Sequence, residues 1–314
     1  MSVLRFATFF VAAILNAQPG MFPPWSGGAN NPAVDKGYEF RVADIDNVPD
    51  LHGNPNQALL VLFVGGNQFM VMPELIRAFE AEHPELRGYI FYETLPPGIL
   101  RKQIAANGIV TLGNFTLQVQ ADVYEAGSNA VDEMEKAHIV ERPVLYATND
   151  LGIMVRKGNP LNVRSLSDLG RDQIKLSMPN PEWEGVAAQI ALALEKTGGA
   201  ALVDRVMKQK LRDGSTFLTQ IHHRQTPMRI LSGQSDAGVT WASEIIFQEK
   251  IGNPVAGVKI PGAQNTNAKY AAAVLKNAPH RQTALAWLSF LGTPAAQKAY
   301  AAFGFTPASG LSDK

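Results

Sequence analysis

The chain has 314 residues, enough for two domains with separate cores, and its 46% hydrophobic and 18% charged residues mark a folded globular protein. Twenty-eight basic residues balance 28 acidic ones with no long basic run, which gives a nucleic-acid partner no footing. Cysteine is absent, which excludes disulfides, thiolate metal sites, a cysteine nucleophile and a lipid-modified cysteine.

Residues 1–18 read as an export signal. Arg5 supplies the positive start, Phe6–Leu15 an apolar run too short to span a membrane, and Ala17 a cleavage position. A soluble periplasmic protein without a lipid anchor is the expectation. Residues 19–57 are rich in Pro, Gly and Asn and read as an irregular extension.

Order begins at Ala58–Val64, an apolar run of strand length, followed by Gly65-Gly66-Asn67-Gln68 and a helix over Met72–Glu82. A strand, a glycine turn and a helix start together offer unpaired amides to an anion. The next unit is a strand over Gly88–Tyr92, a loop from Glu93-Thr94 to Gly98, and a helix from Ile99 to Asn107. Ala121–Tyr124 reads as a buried strand, with Gly127 and Ser128 opening a helix that runs to Ala137. Leu145–Val155 is long and extended. Lys175–Met178 is a short strand, and Pro179–Gly185, with Trp183 in it, precedes alanine-rich helix Val186–Lys196. A charged helix covers Ala201–Lys210. Beyond the N-terminus no segment reads as a membrane span.

Ile221–Glu244 is the most informative stretch. His222–Gln225 reads as a loop, with Thr226 capping a short helix whose first turn holds Pro227. Gly233 ends that helix, and Asp236–Thr240 is a buried strand whose carboxyl end delivers Trp241 and Ser243. Ligands bind at such strand ends in open α/β sheets. Strand Val255–Ile260, the segment Tyr270–Leu275 and helices Arg281–Leu291 and Pro294–Phe303 complete the chain.

The order of four pieces resembles the type II periplasmic solute-binding proteins of ABC transporters, in their molybdate-binding-like group. These are Leu62–Gln68 with the helix ending at Pro84, Ala121–Val123, Tyr146–Val155 with Lys157–Pro160, and Asp236–Trp241; the tail Tyr300–Phe305 is similar too. The resemblance implies an α/β fold of two lobes with a ligand cleft between them. Lobe one would be 58–146 plus 263–314 and lobe two 147–262, with crossovers near Ala147–Asp150 and Pro261–Asn265. It also implies a monomeric receptor, without cofactor, that captures a small polar, anionic solute and delivers it to an inner-membrane ABC permease.

Carried onto this sequence, the contacts are expected at Gly66, Asn67, Gln68, Glu93, Thr94, Gly127 and Ser128 on one side. On the other they fall at Trp183, His223, Arg224, Gln225, Thr226, Thr240, Trp241 and Ser243. Glu93 and the charged loop depart from the small residues that molybdate binders place there, since a carboxylate repels a dianion unless it is neutralised. Arg224 can clamp an oxyanion through two N–H groups. His222, His223 and Glu93 leave open an alternative, a metal or metal chelate. No Gly-x-Ser-x-Gly elbow, His-Glu-x-x-His or phosphate-loop motif is present, and no enzyme is expected.

Overall fold

A computed structural model describes residues 50–112, 115–182, 184–219 and 224–307. The expected signal, most of the irregular extension, Trp183, His222 and His223 lie outside the described residues.

The first part of the fold is built from β1 (Leu51–His52), β2 (Leu60–Gly65), α1 (Met72–Glu82), β3 (Ile90–Leu95), α2 (Pro97–Ala105), the hairpin β4 (Ile109–Leu112) and β5 (Phe115–Gln118), β6 (Val123–Gly127) and α3 (Ser128–Lys136). The 13-residue strand β7 (Val144–Arg156) then leads to β8 (Leu176–Met178), α4 (Gly185–Asp204), α5 (Lys210–Arg212), β9 (Thr216–Leu218), α6 (Gln225–Leu231), β10 (Ala237–Trp241), α7 (Ala242–Lys250) and β11 (Val255–Lys259). The chain returns through β12 (Asn267–Val274), α8 (Arg281–Leu291), α9 (Pro294–Ala302) and β13 (Thr306–Pro307).

One sheet runs β1-β3-β2-β6-β12-β7-β10-β8-β9, with β11 and β13 also on β7. Strands β3, β2 and β6 are parallel, as are β10, β8 and β9; both sets are therefore covered on two faces and read as continuous apolar runs. Along β2 the alternation sorts the side chains. Leu60, Leu62 and Val64 join the large core that holds Phe79, Trp287 and Tyr300, while Val61 and Phe63 join Leu100, Val131 and Met134 of α2 and α3.

Strand β7 changes partners along its length. Val144–Asp150 pairs with β12, and Leu151–Val155 pairs with β10 on one edge while β11 lines the other. The switch at Asp150/Leu151 makes β7 the crossing strand between two halves of the fold. Gly152, just past the switch, lets α7 pack close: a Cβ would lie 2.6 Å from Ile245 Cδ1, which would have to turn aside. The return passes through residues 260–266, where the Asn265 side chain accepts from Leu151 N (3.2 Å) and donates to Leu151 O (2.9 Å), tying one crossing to the other.

Several expectations need correction. Strand β3 extends through Leu95, so Glu93 and Thr94 are buried strand residues and not loop residues. Helix α6 starts at Gln225, so the capping position is Arg224 and Thr226 lies inside the first turn. The two helices read over 186–210 are both present: Gly198 and Gly199 carry non-helical backbone that breaks the run between them, and the second helix continues in a π-type turn. By length and composition alone Val186–Arg212 would suffice to cross a membrane, but the break at Gly198–Gly199 divides it. Its Val186, Ile190, Ala193 and Leu194 are buried in the main core.

Candidate functional site

All three parallel strands of the first half end on the same side, and so do β8, β9 and β10 of the second half. The segments that follow β2, β3, β6, β8 and β10 border a cleft of about 1330 Å³. On one wall it is lined by Gly66 and Asn67 after β2, Pro96 and Pro97 after β3, and Gly127 and Ser128 after β6. Glu184, Gly185 and Val186 at the start of α4, with Trp241 at the end of β10, form the facing wall. Tyr270 of β12 lines the cleft between them.

Two helices point their amino ends into this space. The capping residue of α3 is Gly127, whose extended backbone (φ −55, ψ 137) offers no side-chain cap, and the first turn carries no acidic residue. Helix α4 begins at Gly185 with neither a side-chain cap nor an acid in its first turn. Its capping residue, Glu184, has its carboxylate engaged elsewhere, taking the Thr219 hydroxyl and the Asn180 amide (3.2 Å). In α4 the Ala187 amide is taken by the Glu184 carbonyl (3.0 Å), which leaves the amides of Gly185 and Val186 as the orphan donors of the first turn, and the dipole of each helix adds partial positive charge at its start. Helix starts of this kind suit an anion in general.

Side chains fix the geometry of this lining. Asn67 donates to the Tyr270 hydroxyl (2.7 Å), which joins the β2 loop to the returning strand. Trp241 meets the Tyr270 ring edge-on with centroids 5.9 Å apart. Gln68, expected at the ligand, is fully buried behind the loop; it donates to the Tyr146 hydroxyl (2.5 Å) and accepts from Tyr300 (3.0 Å). Beneath it, Glu125 accepts from Trp287 Nε1 (2.5 Å), and burial pushes its carboxyl up to about 7. Gln68 therefore holds the shape of the Gly66–Asn67 turn and does not line the cleft.

Other expected contacts also prove structural. Glu93 lies in the core opposite the main cluster, accepting from Gln103 (3.0 Å), and burial pushes its carboxyl up to about 8. At neutral pH it is mostly a neutral acid, so it neither repels an anion nor serves as a metal ligand. Among the described residues no group of three or more His, Asp or Glu is placed to hold a metal ion. Thr226 shares a hydrogen bond with Ser177 (3.0 Å), Thr240 donates to Glu244 (2.8 Å), and Ser243 accepts from Asn149 of the crossing strand (2.8 Å). All three are buried and lie outside the cleft lining; Gln225 is buried as well. Arg224, only 2% exposed, is ion-paired with Asp50 and lies 4.9 Å over the Phe69 ring.

Of the expected residues, the cleft thus gathers Gly66, Asn67, Gly127, Ser128 and Trp241. Sequence reasoning missed Tyr270, which sits inside a strand with no local signal. The Glu184–Gly185 helix start falls in the Pro179–Gly185 stretch read before the alanine-rich run.

Two halves joined by crossing strands and facing each other over a cleft are the architecture of a solute-binding protein. The chain belongs to the bacterial extracellular solute-binding protein family, whose profile matches residues 60–306. It is 25% identical to the molybdate-binding protein ModA of Mycobacterium tuberculosis over 193 residues, 61% of this chain and 67% of that one. In fold it is similar to the sulfate-binding protein SubI of Mycobacterium tuberculosis H37Rv, with a TM-score of 0.66 and 21% identity over 81% of this chain and 88% of that one. The periplasmic molybdate-binding protein of Azotobacter vinelandii gives a TM-score of 0.61 and 15% identity, covering 79% and 98% of the two chains.

Proposed function

We propose that this protein is the periplasmic receptor of an ABC-type uptake system and captures a small tetrahedral oxyanion by closure of its two lobes. The observation that carries this reading is the pair of helix amino ends, at Gly127–Ser128 and at Gly185, that face one cleft from opposite walls. Such a site favours an anion of low basicity, because amides donate hydrogen bonds but accept none. No bond is made or broken; the protein binds, closes and hands its ligand to an inner-membrane permease. The lobes would be 58–146 plus 263–314 and 147–262, hinged near Ala147–Asp150 and Pro261–Asn265, where β7 exchanges β12 for β10. Relatives that bind molybdate and sulfate support the ligand class.

Thermal unfolding after dialysis against a chelator tests this, with molybdate, tungstate, sulfate, thiosulfate, phosphate, citrate and divalent metals as the panel. A ligand at ~100 times its dissociation constant adds about 2.7 kcal/mol, a shift a melting curve resolves. The expected result is a shift with one or more tetrahedral oxyanions. A shift confined to metals, or to citrate with a metal, would refute the reading.

A further inference from the structure

The Arg224–Asp50 contact joins parts of the molecule that are far apart in the sheet. Asp50 is fixed to the β1–β3 edge, its carbonyl accepting from Thr94 N (2.9 Å). Arg224 caps α6, in the connection between β9 and β10. The sheet order places β1 and β9 at its two extremes, so this ion pair spans the groove between the halves. A second contact accompanies it: Phe69, beside the Gly66–Gln68 turn, meets Phe247 of α7 edge-on at 5.0 Å, and the Arg224 guanidinium rests over the same Phe69 ring. Arg224 Nη2 also approaches the Thr94 carbonyl (3.5 Å), and the hydroxyl of Thr94 is buried without a hydrogen-bond partner.

We infer that the Arg224 guanidinium is an anion subsite between the two lobes which Asp50 fills from within the chain. The Asp50 carboxylate accepts from the guanidinium Nη2 through Oδ1, as an oxygen of an external oxyanion would. It ties the two lobes together, and an arriving divalent oxyanion must displace it. A tetrahedral oxyanion has four acceptor oxygens where the carboxylate has two, enough to engage a guanidinium and the Thr94 hydroxyl together. A buried Arg deprived of its partner carries a large desolvation cost, so loss of Asp50 drives Arg224 toward water or toward an external anion. This inference rests on the oxyanion reading for its ligand but not for the closure it describes.

Two measurements on purified wild type, Asp50→Asn, and the double variant D50N/R224Q decide it. Small-angle scattering without ligand should show both variants expanded relative to wild type; superimposable profiles would overturn the latch whatever the protein binds. Calorimetric titration with sulfate and molybdate should show Asp50→Asn binding at least tenfold tighter than wild type, with the gain lost in the double variant. Unchanged or weaker binding by Asp50→Asn would overturn the subsite. The double variant leaves no lone buried charge, so scattering remains decisive if the single variant does not fold. Failure of every protein to bind either oxyanion would count against the proposed ligand and remove the subsite, while scattering still decides closure.

Discussion

Two buried carboxyls set how stability depends on pH. Glu125 and Glu93 remain protonated in the fold up to about 7 and about 8, because burial disfavours the charged form, whereas in the unfolded chain each ionises near 4.5. Between those values the folded state holds more protons, so stability falls as pH rises, by roughly 1.4 kcal/mol per unit for each group. Their contribution is fully present below about 4.5 and is lost through pH 7 for Glu125 and pH 8 for Glu93. Melting temperatures should therefore decline from pH 5 to pH 8, and the double variant E93Q/E125Q should flatten that decline. A flat wild-type profile would show that both carboxyls are already charged in the fold. At this scale the sequence was legible where residues sit in glycine turns: Asn67, Gly127 and Ser128 follow strands and reach the cleft. It misled at Glu93 and Thr94, because β3 runs to Leu95, beyond the strand end read at Tyr92. The partner of Arg224 lies 174 residues away in a stretch read as irregular, and no local pattern encodes such a pairing.

Most elements follow from the apolar pattern and from punctuation by Gly and Pro. Helices α1, α8 and α9 match their expected spans closely, since they are long and periodic, whereas β2, β3 and β6 each begin and end later than their apolar runs indicate. Short pieces escaped: β1, β9 and β13 have two or three residues each and are defined by their neighbours, not by any period. Close approach between elements makes a separate demand. At Gly238 of β10 a Cβ would lie 2.4 Å from Thr226 Cγ2 of α6 and 2.7 Å from the Ser177 carbonyl of β8. Backbone on one side and a packed methyl on the other leave no room to yield. Gly238→Ala should cost about 1–3 kcal/mol by overpacking, measured by denaturant unfolding, with β10 or α6 displaced. An unchanged midpoint would mean that α6 moves off the sheet freely, and the cap at Arg224 with it.

Over the whole molecule, the fold arranges two three-stranded parallel sets so that their carboxyl ends meet across one cleft, and β7 carries the chain from one set to the other. Parallel strands followed by helices bring several helix amino ends to the same place, and the proposed anion site of this molecule of zero formal charge rests on them. Order of motifs along the chain was sufficient to predict that architecture; which loops line the cleft was not, because lining depends on how far each strand runs. The decisive residue for the account is Gly185, the first residue of α4. Proline is well tolerated at a first helical position, and Glu184 before it is already extended (φ −103, ψ 108). Gly185→Pro therefore removes one cleft-facing N–H with little cost to the helix. Calorimetric titration of wild type and Gly185→Pro with molybdate and sulfate is the most direct test. Wild type should bind at least one oxyanion at a single site, and the variant should bind it at least tenfold more weakly with its melting temperature unchanged, as expected for one charge-assisted hydrogen bond. Equal affinity in the two proteins, or no oxyanion binding by wild type, would contradict an amide-lined anion site.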